Sequence, residues 1–230
     1  MVNQWCIIAR RRRWPVIAEP ERRLVLAYAP GAPAGQALSA LWALDDKLAE
    51  TVRTTSEPML GQIRLQWWHD ALVKLDSAPP PAEPVLEAVA RDVLRDGVTG
   101  AAVGEIAQAW QALLQEELDA VTLKAFAQRG VRLFEIAGTL AGASPADPLA
   151  LAGEGWALAD LAGGLSDPRE AAGARMIAEQ ALTEAAARRW SRNGRALGAM
   201  AHLARMDLAG VPFGSPRRTG RVLWHRLTGK

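Results

Sequence analysis

The chain has 230 residues, 50% of them apolar and 23% charged, a balance that suits a globular fold with a substantial core. Its net charge of +2 is too small to imply nucleic-acid binding. Its single cysteine, Cys6, leaves no internal disulfide and no cysteine-built metal cage.

The first 19 residues form a basic segment. Trp5 to Ala9 is a short apolar run that precedes Arg10–Arg13, the reverse of a secretory signal. The first long helix is expected over 34–52, where Ala37, Leu41, Leu44, Leu48 and Val52 form one apolar stripe. Asp46 and Glu50 lie on roughly the opposite side, near Ser39, Trp42 and Ala43.

Ser56 is expected to cap the next helix, with Pro58 in its first turn. That helix should run over 59–75 and bury a row of Leu60, Ile63, Trp67 and Ala71, widened by Trp68, Leu72 and Leu75. The run Ser77-Ala78-Pro79-Pro80-Pro81 ends it. Further helices are expected at 83–95, 101–120, 122–141, 149–164, 170–193 and 195–208. A Gly/Pro/Arg loop then leads to a short basic helix carrying Trp224 and Leu227. The reading is an all-α single bundle over 20–208 with a basic C-terminal tail over 209–230. No stretch approaches the roughly 20 apolar residues of a bilayer span.

Two carboxylates at i and i+4 point the same way from a helix. Asp46 and Glu50 could together hold Mg2+ through oxygen ligands, the metal being completed by a diphosphate whose departure it assists. The same pair could equally be a solvated face. Arg64 suits a phosphate or an ion pair. Trp67 and Trp68 are core anchors first, and His69 reads as a hydrogen-bonded histidine rather than a base. Arg217, Arg218, Arg221, Arg226 and Lys230 form a second basic cluster. Such clusters suit an anionic membrane surface, at about 1 kcal/mol per charge, or simply solvated tails.

Ala37-Leu38-Ser39-Ala40-Leu41 leading to Asp46-Lys47-Leu48-Ala49-Glu50, followed by Arg64-Leu65-Gln66-Trp67-Trp68-His69-Asp70-Ala71-Leu72, resembles the squalene/phytoene synthase family. The likeness extends over most of 20–205 and is densest over 37–72. It implies an isoprenoid-synthase-like bundle, prenyl diphosphate as ligand and Mg2+ as cofactor. Asp46 and Glu50 would be metal ligands. Arg23, Trp42, Arg64, Asp160, Asp167 and Glu170 would be candidate substrate-binding residues.

The family's second acidic motif is degenerate here. Ser166 and Glu170 stand where its two aspartates are expected, and Pro168 interrupts the helix that should carry both. In this the chain resembles the complex I assembly factors of the same family type. The resemblance therefore implies a non-catalytic prenyl-lipid-binding or membrane-complex assembly factor. Its partner would be a prenyl lipid, an anionic membrane surface or a respiratory-complex subunit. It would be cytoplasmic, with peripheral attachment at the inner membrane. The alternative is an active Mg-dependent transferase joining two prenyl diphosphates head to head.

Overall fold

A computed structural model describes residues 19–230, with side chains from Glu21 onward. The basic segment around Arg10–Arg13, with Cys6, lies outside the described residues. Ten α-helices and one 3-10 turn, with no strand, make up the regular structure of the described residues. In chain order they are α1 (Glu19–Leu26), α2 (Gly31–Arg53), α3 (Pro58–Lys74), α4 (Pro84–Asp92), α5 (Gly100–Trp110), α6 (Ala120–Ala141), α7 (Leu149–Gly164), α8 (Pro168–Ala187), α9 (Arg195–Leu208) and α10 (Pro216–Thr228). The all-α single domain expected from the apolar periodicity is present.

Helix α7 lies at the centre. It packs against α6, α8 and α9, and it is apolar around nearly its whole circumference, as a helix enclosed by neighbours must be. Its approach to α6 is set by two glycines. A Cβ on Gly130 would fall on the carbonyl oxygen of Gly153, and a Cβ on Gly153 would fall on that of Gly130. Two backbones in contact place the side chains one turn away at fixed distances, which matters for the site below.

The stripe expected on α2 is buried as a unit: Ala37, Leu41, Leu44, Leu48 and Val52 all lie in the core. Helix α3 differs from its expectation. Gly61, Leu65, Trp68 and Leu72 are buried, whereas Leu60, Ile63 and Trp67 face out. The reason lies in α5. A Cβ on Gly100 would fall on the Leu72 carbonyl oxygen, and one on Gly104 would press on His69 and Val73. The two glycines form a groove that accepts the Leu65–Leu72 side of α3. Ser56 does not cap α3 either; Glu57 occupies the N-cap, Pro58 starts the helix, and no side chain caps it.

Helix α5 stops at Trp110, short of the expected 120. Gln111–Leu114 tightens into a 3-10 turn and Gln115 becomes extended. Two carboxylates hold the following loop. Glu170 accepts a hydrogen bond from the Leu118 amide at 3.1 Å. Asp119 accepts from the Thr122 amide at 2.8 Å and so caps α6. At its other end α6 closes on Gly142 in the left-handed region, φ 65°, a conformation glycine adopts without a Cβ penalty.

Within 209–230, α10 packs on α9. Buried Arg218 binds Glu21 of α1 and Asp207 of α9, with contacts of 2.7 and 2.6 Å, tying the C-terminal helix to the first described one. No helix of the described residues is long and apolar enough to cross a membrane.

Candidate functional site

The most charged part of the interior lies where α2, α5, α6 and α7 meet. Arg129 of α6 is 3% exposed. Its Nε and Nη2 donate to the two oxygens of Asp45 at 2.7 and 2.6 Å, a forked pair. Its Nη1 donates to Asp160 of α7 at 2.9 Å. Trp110 of α5 adds a third donor to Asp45, its indole N–H at 3.0 Å.

Aromatic faces enclose the guanidinium, with the rings of Trp110, Trp156 and Phe126 at 4.4, 4.6 and 5.3 Å from its central carbon. Burial works against the charge on Arg129, but Asp45 and Asp160 outweigh it and hold its pKa above that of an ordinary arginine. The arrangement is a cation clamped between acids of two helices, α2 and α7. It uses the carboxylates as anchors and leaves no unpaired charge in the aromatic cage.

The residues singled out from the sequence are dispersed around this cluster. Asp46 faces α1, where both of its oxygens take the Arg22 guanidinium at 2.9 and 2.7 Å. Glu50 pairs with Lys47 at 3.0 Å on the exposed side of α2, and that ammonium lowers its pKa. Arg64 donates to the Thr55 hydroxyl at 2.9 Å. Trp42 is a core anchor, its ring 6.0 Å from both Phe134 and Trp156.

Asp160 belongs to the Arg129 cluster. Asp167 caps α8, accepting from the Arg169 and Glu170 amides. Glu170 holds the Leu118 loop. Arg23 is exposed on α1. Glu50 and Arg64 do share a groove of about 430 Å3 between α2 and α3, with Lys47, Ile63, Trp67 and Trp68. Asp46, Asp160, Asp167 and Glu170 do not line it. Among the described residues, no group of three or more His, Cys, Asp or Glu side chains is arranged to hold a metal ion.

Asp45 and Arg129 were not among the candidates read from the sequence. Asp45 sits between Leu44 and Leu48 on the apolar side of α2, and Arg129 interrupts the apolar row of Phe126, Gly130 and Leu133. A charge in such a position must find a partner, and that was the available signal.

A second polar locus lies between α9 and α10. His202 and His225 are buried with ring centroids 4.7 Å apart. A guanidinium N–H of Arg221 lies 2.8 Å from His202 Nε2. Among the described residues, no hydrogen bond of normal geometry reaches either ring nitrogen of His225.

Burial lowers the His202 pKa to about 3, with His225 and Arg221 acting in the same direction. Burial likewise lowers that of His225 to about 4, against the opposing pull of the Lys230 backbone. Both rings fold neutral. The unfolded chain therefore binds the extra protons below its ordinary histidine pKa of about 6.5, and stability falls as pH drops from there towards 4. Each pKa unit of depression corresponds to about 1.4 kcal/mol, so urea unfolding at pH 4.5 should show at least that loss relative to pH 7.5. His225→Leu should flatten the slope, and an unchanged slope in that variant would refute the assignment.

No protein-family model matches the chain, and no match was found among curated proteins or solved structures.

Proposed function

We propose that this protein is a non-catalytic relative of the squalene/phytoene synthases, binding a prenyl lipid or serving in the assembly of a membrane complex. The observation that carries the reading is the Arg129 clamp. A two-diphosphate reaction needs acids from facing helices that are open to metal. The acids that face one another across α2 and α7, Asp45 and Asp160, grip an internal guanidinium instead. The i, i+4 pair expected to bind Mg2+ is divided between Arg22 and Lys47. Pro168 begins α8 rather than continuing α7, so Asp160 and Glu170 stand on different helices. The sequence likeness over 37–72 supports the family assignment. The groove between α2 and α3 sets Arg64, and Lys47 paired with Glu50, beside the apolar surface of Ile63 and Trp67, which suits a phosphorylated head with a prenyl chain.

Purified protein supplied with farnesyl or geranylgeranyl diphosphate and Mg2+ should form no head-to-head product. Steady product formation that disappears in Asp46→Ala or Glu50→Ala would establish the transferase instead. A respiratory-complex subunit as partner would appear as a defined complex with this chain. That outcome selects between the lipid-binding and assembly forms of the proposal.

A further inference from the structure

We propose that the pocket between α9 and α10 binds the phosphate headgroup of an anionic phospholipid, with the outer face of α10 resting on the bilayer. The cavity measures about 480 Å3 and is lined by His202, Arg205, Met206, Arg217, Arg221 and Trp224, among others, with no acidic residue among the described residues of its wall. Asp207, next in the chain to Met206, and Glu21 are engaged with Arg218. Arg205, Arg217 and Arg221 thus converge on one cavity, and no carboxylate pairs with any of them among the described residues.

Burial and the charge of Arg205 both lower the Arg221 pKa, the mark of a cation held beside another cation. His202 contacts one Nη of Arg221 from the buried side. Guanidinium forks match the oxygens of a phosphate, and three of them around one cavity suit a phosphate better than a singly charged carboxylate ligand.

The rim indicates where that phosphate comes from. Helix α10 buries Arg218, Val222 and His225. Trp224, Leu227 and Leu223 follow one another around its outer face beside the Arg217–Arg221 flank, and they are 56%, 67% and 49% exposed. Phe213, on the loop before the helix, is 54% exposed. A basic flank next to Trp and Leu is the composition of a helix lying in a membrane interface. A soluble phosphate would fill the cavity but leave these side chains in water. The site deepens the membrane-facing part of the function proposed above. It stands apart from the Arg129 cluster and needs no conclusion about catalysis, so a transferase could carry it as well and the two proposals fail separately.

The full chain should co-sediment with vesicles of phosphatidylcholine mixed with phosphatidic acid and not with phosphatidylcholine alone. Arg205 and Arg217 are exposed, so Arg205→Gln with Arg217→Gln leaves the fold intact. That double variant should bind the acidic vesicles about 25-fold more weakly, from about five-fold per charge. Arg53→Gln with Arg91→Gln removes equal charge elsewhere and should change binding little. An equal loss in both double variants would overturn the site in favour of unspecific charge attraction. Calorimetric binding of glycerol phosphate without vesicle binding would overturn the lipid in favour of a soluble phosphate ligand. No binding to acidic vesicles or to glycerol phosphate would overturn the proposal outright.

Discussion

Replacing Arg129 by Met should lower stability by about 3–5 kcal/mol, the range for removing one partner of a buried ion pair. Met matches the aliphatic length but supplies none of the three hydrogen bonds that Arg129 gives to Asp45 and Asp160. The Trp110 indole alone would remain on Asp45. Asp45 would then keep a buried carboxylate without the guanidinium that both of its oxygens accept from, and it must take up a proton or the cage must open to water. Arg129→Lys keeps the charge but cannot fork onto Asp45, so its loss should be smaller yet clear. Adding Asp45→Asn and Asp160→Asn to Arg129→Met should restore part of the loss, because the uncompensated charge disappears with the acids. Urea midpoints of the three variants measure this order. An Arg129→Met midpoint equal to that of the parent would show that the cluster is not the buried clamp described.

Periodicity made the helices legible, and with them the all-α fold. It specifies a stripe well when one side of a helix is clearly apolar, as on α2. It specifies poorly when apolar residues surround the helix. On α3 the expected row of Leu60, Ile63, Trp67 and Ala71, widened by Trp68, Leu72 and Leu75, spreads so far around the helix that it leaves open whether its Ile63–Trp67 side or its Trp68–Leu72 side is buried. The choice between them is made by Gly100 and Gly104, about 30 positions away on a helix that had to be placed first.

The same limit applies to the site. Spacing drew attention to Asp46 and Glu50 because i, i+4 is a recognisable pattern. The acid that matters inside the fold is their neighbour Asp45, turned about 100° around the helix towards α6. Its partner is 84 residues away, and no local rule connects them. Pro168 was the exception. A local rule identified it as a break, and the structure divides α7 from α8 there.

Of the two adjacent tryptophans on α3, Trp68→Ala should cost about 3–5 kcal/mol and Trp67→Ala much less. Trp68 is 5% exposed and belongs to the continuous core with Leu65 and Leu72. Truncating it opens a cavity that the Gly104 contact at His69 and Val73 leaves little room to close. Trp67 is 50% exposed. Among the described residues its one ring contact is the edge-on pair with Trp68 at 5.2 Å, so its removal should cost about 0.5–1.5 kcal/mol. The contrast tests the register of the whole helix. If α3 turned its Leu60–Ile63–Trp67 row inward, the two costs would exchange. Thermal midpoints of the two single variants distinguish the arrangements. A larger loss in Trp67→Ala than in Trp68→Ala would rotate α3 and remove Trp67 from the groove beside Arg64, and with it that groove as a prenyl site.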